Sequence, residues 1–191
     1  SGKLRVLWKL KQHPQDPNSQ FSVGLGSKIH ALLGKELDDD RVRIIDWIKP
    51  QPIAVLQTGA VVVSVNHGGA NSYNDAIIEL TTRSPCEEKH HVLTSSQIRV
   101  PQVTLPTWLD CYDFANRVEY LGIGRWGSRT AAPSCASDEL GPVLVDVVLG
   151  ERAESYRRKA QEIAALCAKT PGSFVAACAI LGEVGEQKKT R

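Results

Sequence analysis

The sequence contains no methionine, not even at its first position, so it reads as an excised piece of a longer chain. It has no apolar run near the ~20 residues that a membrane-spanning helix needs, and no signal peptide is visible. Charge of neither sign dominates. The 23 Lys and Arg residues are interspersed with 21 Asp and Glu, for a net +2, which argues against a dedicated nucleic-acid surface. Cysteines are few and odd in number: Cys86, Cys111, Cys135, Cys167 and Cys178. No pair has metal-knuckle spacing, so free thiols in a reducing, cytoplasmic compartment are expected. A Walker loop and a Ser-His-Asp nucleophile set are both missing. What is present is globular in character: 42% apolar residues over 191 positions, enough for one domain with a proper core.

Strand-like and helix-like segments alternate. Leu4 to Leu10 reads as a strand, Ser27 to Leu37 as a helix and Arg41 to Ile45 as a second strand. The helix is expected to stop before Asp38-Asp39-Asp40, because acids oppose the dipole there. Pro52 to Gln57 reads as a short helix with proline in its first turn. Ala60 to Asn66 is a third strand, apolar on both faces and therefore expected at the sheet centre. A helix follows from Ala70. Gln102 to Leu105 is a fourth strand, Tyr112 to Tyr120 a helix, and Gly122 to Gly124 a short final strand. Three helices close the pattern: Leu140 to Leu149 with Pro142 in its opening turn, an amphipathic helix through Ala153, Tyr156, Ala160, Ile163 and Cys167, and Phe174 to Leu181. Such alternation predicts an α/β, Rossmann-like, doubly wound parallel sheet, with ligands beyond the carboxyl ends of the strands.

The third strand carries the densest chemistry. Val61 to Val65 is β-branched apart from Ser64; then come Asn66, His67, Gly68, Gly69, Ala70, Asn71, Ser72, Tyr73, Asn74 and Asp75. A strand, a tight turn and the first turn of a helix follow in order. That order gathers bare amide N–H groups and the positive end of a helix dipole, which suits phosphate. Gly68 and Gly69 lack Cβ and let a ligand come close. His67, Asn71 and Ser72 add donors. Asp75 accepts hydrogen bonds one turn later, as two vicinal ribose hydroxyls require. The set fits a nucleoside diphosphate.

The flanks extend the pattern. Asp46-Trp47-Ile48-Lys49-Pro50-Gln51 lies upstream, and Val100-Pro101-Gln102-Val103-Thr104-Leu105-Pro106-Thr107-Trp108-Leu109-Asp110 downstream. Together the three stretches resemble the donor-binding signature box of the family 1 glycosyltransferases, the inverting, UDP-sugar-dependent enzymes of the GT-B fold. The resemblance runs from about Leu4 to Leu181 and implies the C-terminal donor domain, over residues 3–184. It implies Trp47 stacked on uracil, and Gln51, Gly68, Gly69, Asn71 and Ser72 around the nucleotide sugar. It implies His67 at the departing UDP, Asp75 on the ribose and Asp110 on sugar hydroxyls, with Cys111 beside it. Cys111 stands where many members carry Gln, and Asp75 where Glu is commoner. No cofactor is implied: UDP-hexose is a co-substrate, and the acceptor is a small molecule such as a lipid, sterol or secondary metabolite. No metal and no nucleic acid are implied.

Two features depart from an intact enzyme of that family. The opening strand with its Gly-Ser turn is missing, and so is the whole N-terminal domain that binds the acceptor and holds the catalytic base. The box is also interrupted: Asp110 stands 35 positions after Asp75, where the family has about twenty fewer. The excess, about residues 80–99, is polar and aperiodic and reads as loop. A retained intron would account for it, since the box resumes cleanly at Val100. Three readings therefore stand side by side. One is a piece of a two-domain hexosyltransferase, inactive alone. Another is a donor subunit completed by a separate acceptor-binding chain. The last is a noncatalytic remnant.

Each residue also has a plainer reading. Trp47 and His67 suit a core, Asn71, Ser72 and Asp110 suit helix caps, and Asp75 suits a first-turn acid. Gly122-Ile123-Gly124-Arg125-Trp126-Gly127 matches a dinucleotide fingerprint, but Ser128 to Pro133 after it is not helical in pattern, so it reads as a decoy. Cys86, Glu87, His90 and His91 carry metal-ligating atoms without a tetrahedral-site spacing.

Overall fold

A computed structural model of the chain describes residues 4–10, 25–77, 100–169 and 172–189. The polar segment that interrupts the box, with Cys86, Glu87, His90 and His91, lies outside these residues. The chain divides into two compact units, Ser1–Gln51 and Pro52–Arg191.

In the first unit, β1 (Val6–Lys9) and β2 (Val42–Ile45) pair in parallel, Val6 opposite Val42 and Lys9 opposite Ile45. Between them α1 (Lys28–Asp38) opens on Ser27, whose Oγ accepts the His30 N–H at 3.1 Å, a side-chain N-cap. The helix includes Asp38, one residue beyond the stop that the dipole argument predicts. A Schellman turn explains the extra residue: the Asp40 N–H donates to the Leu37 carbonyl at 3.1 Å and the Arg41 N–H to that of Glu36 at 2.8 Å. Asp40 takes the left-handed position at φ +52°, which aspartate tolerates. Its carboxylate is held by Arg43 at 2.8 Å and Arg5 at 3.6 Å, so acid near the helix end is locally neutralised.

The second unit runs α2 (Pro52–Leu56), β3 (Ser64–Asn66), α3 (Ala70–Asp75), β4 (Gln102–Thr104), α4 (Asp110–Tyr120), β5 (Gly124–Trp126), α5 (Ser137–Leu149), α6 (Ala153–Lys169) and α7 (Gly172–Lys189). The architecture is α/β with parallel sheets and helices, as the alternation predicts. Its sheet has the order β3-β4-β5, all parallel, with Ser64 opposite Gln102 and Gln102 opposite Gly124. This corrects the expectation for the third strand. Among the described residues β3 is an edge of its sheet and β4 is the centre, with Gln102, Val103 and Thr104 all fully buried. β3 is also shorter than its valine run. Its ladder starts where the Ser64 N–H donates to the Pro101 carbonyl; Pro101 has no N–H to return, so Ala60 to Val63 stay out of the sheet.

Two apolar clusters hold this unit. Tyr73 and Ile77 meet Val118, Ile123 and Ala160 in one. Val103 packs with Val147 and Tyr156 in the other. Burying a side chain of this size contributes about 1.5–3 kcal/mol. Near the second cluster, Arg125 bonds Asp146 at 3.1 Å and Tyr156 Oη donates to the same carboxylate at 3.0 Å.

The dinucleotide-like glycines serve packing. Gly122, at φ +66°, closes α4 in a second Schellman turn, with its N–H on the Glu119 carbonyl and that of Ile123 on Val118. Those bonds delay β5 to Gly124, two residues later than the pattern placed it. At Gly124 a Cβ would stand 1.8 Å from the Gln102 carbonyl oxygen of β4. At Gly127 it would meet Leu105 and Val103 at 2.8 Å. No helix follows until Ser137, so no helix N-terminus faces this turn.

Three helix boundaries also differ. α5 begins at Ser137, with Asp138 and Glu139 favourable in its first turn, so Pro142 lies inside the helix and not in its opening turn. α4 begins at Asp110, two residues early. α7 extends well past Leu181 to Lys189. Among the described residues no helix is long and apolar enough to cross a membrane.

Candidate functional site

The turn after β3 is built from three positions with separate reasons. Asn66 ends the strand, and its Oδ1 accepts the Gly68 N–H at 2.8 Å. Gly68 sits at φ +79°, and a Cβ there would lie 2.9 Å from the Cys111 backbone oxygen. Only glycine meets both conditions without strain. Gly69 then starts α3 in an extended conformation (φ −66°, ψ 150°), with no side-chain capping bond.

The missing cap matters. The Tyr73 N–H returns to the Gly69 carbonyl at 2.9 Å, but the amides of Ala70, Asn71 and Ser72 have no acceptor among the described residues. A helix start leaves such donors for side chains, water or a ligand. They border a cleft of about 380 Å³ lined by His67, Gly69, Ala70, Asn71 and Ser72. The Gly68 amide, by contrast, is occupied by Asn66, so the donors expected of the turn sit two to four residues further on. α3 is only six residues long, so its local N–H groups outweigh its macrodipole.

His67 is exposed, not a core histidine. Its ring folds back over the turn: a Cβ at Gly69 would be 2.4 Å from His67 Nε2. Asn71 is exposed and Ser72 half-buried at the same cleft. Neither side chain caps α3. Asp75, half-buried in the last turn, has its carboxyl raised above the ordinary value by burial. It has no cationic partner among the described residues.

The loop after β4 brings the next candidates. Asp110 is the first residue of α4 and is exposed; the cap position before it is Leu109, so Asp110 does not cap. Leu109 holds φ +34° and ψ −119° while 82% exposed, a strained backbone for a branched residue. Cys111 is buried. Its carbonyl forms the wall against Gly68, and Cys111 is not among the residues that line the cleft. Trp47 and Gln51 belong to the first unit. Trp47 is 68% exposed, with Lys9 Nζ 4.0 Å from its ring centroid, and Gln51 is exposed.

Three residues given no role by the sequence shape this site: Gln102, Tyr73 and Phe114. Gln102, fully buried, donates to the Tyr73 carbonyl at 3.2 Å and accepts from Asn66 Nδ2 at 3.2 Å. Tyr73 packs its ring 4.9 Å from that of Phe114, which seats α3 on α4. The available signal was a polar residue inside an apolar strand at Gln102, and a lone aromatic in a polar helix at Tyr73. Among the described residues no three His, Cys, Asp or Glu side chains gather as a metal site would require.

No protein-family profile matches the chain. Over 148 residues, 78% of its length, it is 38% identical to the glycosyltransferase sdnJ of Sordaria araneosa. Over 120 residues it is 28% identical to erythritol-mannosyl-transferase 1 of Mycosarcoma maydis. The chain spans 24% and 16% of the lengths of these two relatives. Its fold is similar to apo UGT2 of Phytolacca americana, with a TM-score of 0.63 and 18% identity over 96% of this chain and 37% of that one. It is also similar to Os79 from O. sativa in complex with UDP, with a TM-score of 0.58 and 22% identity over 84% of this chain and 28% of that one. A third fold relative is a UDP-glucose: anthocyanidin 3-O-glucosyltransferase in complex with UDP, at a TM-score of 0.62 and 17% identity over 88% of this chain and 30% of that one. The chain is thus similar in sequence to a glycosyltransferase and in fold to UDP-glycosyltransferases of the GT-B type.

Proposed function

We propose that this chain is the donor-binding half of a UDP-sugar-dependent hexosyltransferase. The observation that carries the reading is the cleft at the end of β3, lined by His67, Gly69, Ala70, Asn71 and Ser72. Three of its backbone amides have no acceptor among the described residues. Pyrophosphate oxygens are acceptors that three convergent amides suit. His67 adds a donor, or a cation when protonated, toward the charge that grows on departing UDP. Asp75 accepts from the two ribose hydroxyls. Burial disfavours its charged form, and two hydroxyl donors offset that cost. In this reading Asp110 holds sugar hydroxyls.

The reaction is the transfer of a hexose to a hydroxyl of a small molecule, with inversion at the anomeric carbon. The acceptor oxygen attacks in line, loses its proton to a base supplied from outside this chain, and UDP leaves. The amides and His67 stabilise that leaving group, and no metal or other cofactor is invoked. Two fold neighbours support a small acceptor: one is a complex with a trichothecene and another is an anthocyanidin glucosyltransferase. A second reading, a donor subunit completed by a separate acceptor-binding chain, draws on β1. All four of its residues are exposed, and among the described residues it pairs with β2 alone. Co-purification of a stoichiometric partner distinguishes that reading.

Calorimetric titration with UDP tests the site. The wild-type chain binds weakly and transfers no sugar alone. His67→Ala removes a charge-assisted bond and lowers affinity about tenfold or more. Equal heats for the two proteins refute the assignment.

A further inference from the structure

Two side-chain amides behind the cleft connect it to the sheet. Gln102 is fully buried in the central strand, where an apolar residue is the rule. It is used in both directions. Its Nε2 donates to the Tyr73 carbonyl at 3.2 Å, and its Oε1 accepts from Asn66 Nδ2 at 3.2 Å. Asn66 Nδ2 also reaches Ser64 Oγ at 3.4 Å, and its Oδ1 takes the Gly68 N–H at 2.8 Å. These links run in series from an α3 carbonyl, through β4 and the end of β3, to the left-handed glycine. None belongs to the sheet ladder. The ladder ends with Asn66 opposite Thr104 and the Leu105 N–H on the Asn66 carbonyl at 2.8 Å, so beyond Asn66 the turn is tied to the sheet through the two amides. A hydrocarbon at position 102 would strip a partner from the Tyr73 carbonyl and from Asn66 Nδ2, and buried polar groups are costly without partners.

We propose that Gln102 is a positioning residue for donor binding. Through Asn66 it fixes Gly68, and so aims His67 and the first-turn amides of α3 into the cleft. The role rests on the nucleotide-binding reading of that cleft and adds to it a residue that never touches the ligand.

The experiment is a UDP titration of the full chain as wild type, Gln102→Met, Asn66→Ala and the double variant. The Gly68 amide resonance is followed by NMR in each protein. Gln102→Met weakens UDP about fivefold and shifts the Gly68 resonance in the direction Asn66→Ala does; the double variant loses little more, because both residues act in one chain. Asn66, only half-buried, supplies a soluble variant if Gln102→Met does not fold. Then a UDP affinity and a Gly68 resonance unchanged in Asn66→Ala overturn the proposal. So does wild-type affinity in Gln102→Met while His67→Ala loses binding, and in that case the site itself stands. Wild type failing to bind UDP rejects the nucleotide reading and the positioning role with it; a Gly68 shift in Gln102→Met then locates the error in the ligand and not in the relay.

Discussion

The imidazole of His67 occupies the space that a side chain on Gly69 would need: a Cβ there would stand 2.4 Å from Nε2 and 3.1 Å from Cε1. The obstruction is the far end of a movable side chain, and the Gly69 backbone (φ −66°, ψ 150°) suits any residue. Gly69→Ala should therefore fold with a stability change within about 1 kcal/mol, while turning His67 out of the cleft and weakening UDP about tenfold. Thermal melts beside a UDP titration check it. An unchanged affinity would show that the ring position is irrelevant to the ligand.

Its neighbour should behave oppositely. Gly68→Ala meets a left-handed φ of +79° and the Cys111 backbone oxygen at 2.9 Å. Neither gives way readily. A loss of about 2–4 kcal/mol is expected from the conformation and the contact together, read as a shift of the urea midpoint.

At Gly124 a methyl would lie 1.8 Å from the Gln102 carbonyl, inside a paired strand. Gly124→Ala should fail to give soluble folded protein, whereas Gly141→Ala, with open space around it, should fold normally. Comparable yields of folded protein from both would contradict the packing role assigned to the fingerprint glycines.

Leu109 holds its positive φ while exposed, so its side chain contributes little packing to set against the strain. Leu109→Gly should raise stability by about 1 kcal/mol, the strain relieved less the added entropy of the unfolded chain. A lower melting temperature for the variant would show that the leucine side chain carries packing of its own.

Burial raises the carboxyl of Asp75 in the folded chain, so the native state holds its proton more tightly than the unfolded state does. Its contribution to stability is complete below the unfolded carboxylate range and is lost as pH rises through the native value. Asp75→Asn should flatten that decline in urea titrations run from the ordinary carboxylate range upward. UDP affinity should rise with pH across the same interval, because the ribose hydroxyls need the ionised acceptor. A pH-independent affinity would remove Asp75 from the ribose.

The sequence by itself determined the local grammar. The run from the valines through His67, Gly68 and Gly69 to Asp75 specifies strand, turn and helix start, because each step depends on a few adjacent residues. Ser27 opening α1 and Pro52 in the first turn of α2 follow the same logic, and the alternation of elements dictated the parallel α/β class. Tertiary structure decided what depends on distant pairs. Pro101, meeting Ser64, limits β3, and the burial of Gln102 to Thr104 makes β4 the centre. The Cys111 carbonyl forbids a side chain at Gly68, and that buried cysteine forms a wall where the pattern placed a lining residue. Asn66 and Gln102, 36 positions apart, hold the turn through side-chain amides. Local composition cannot show such contacts, since a residue's neighbours in space are fixed only when the sheet register closes.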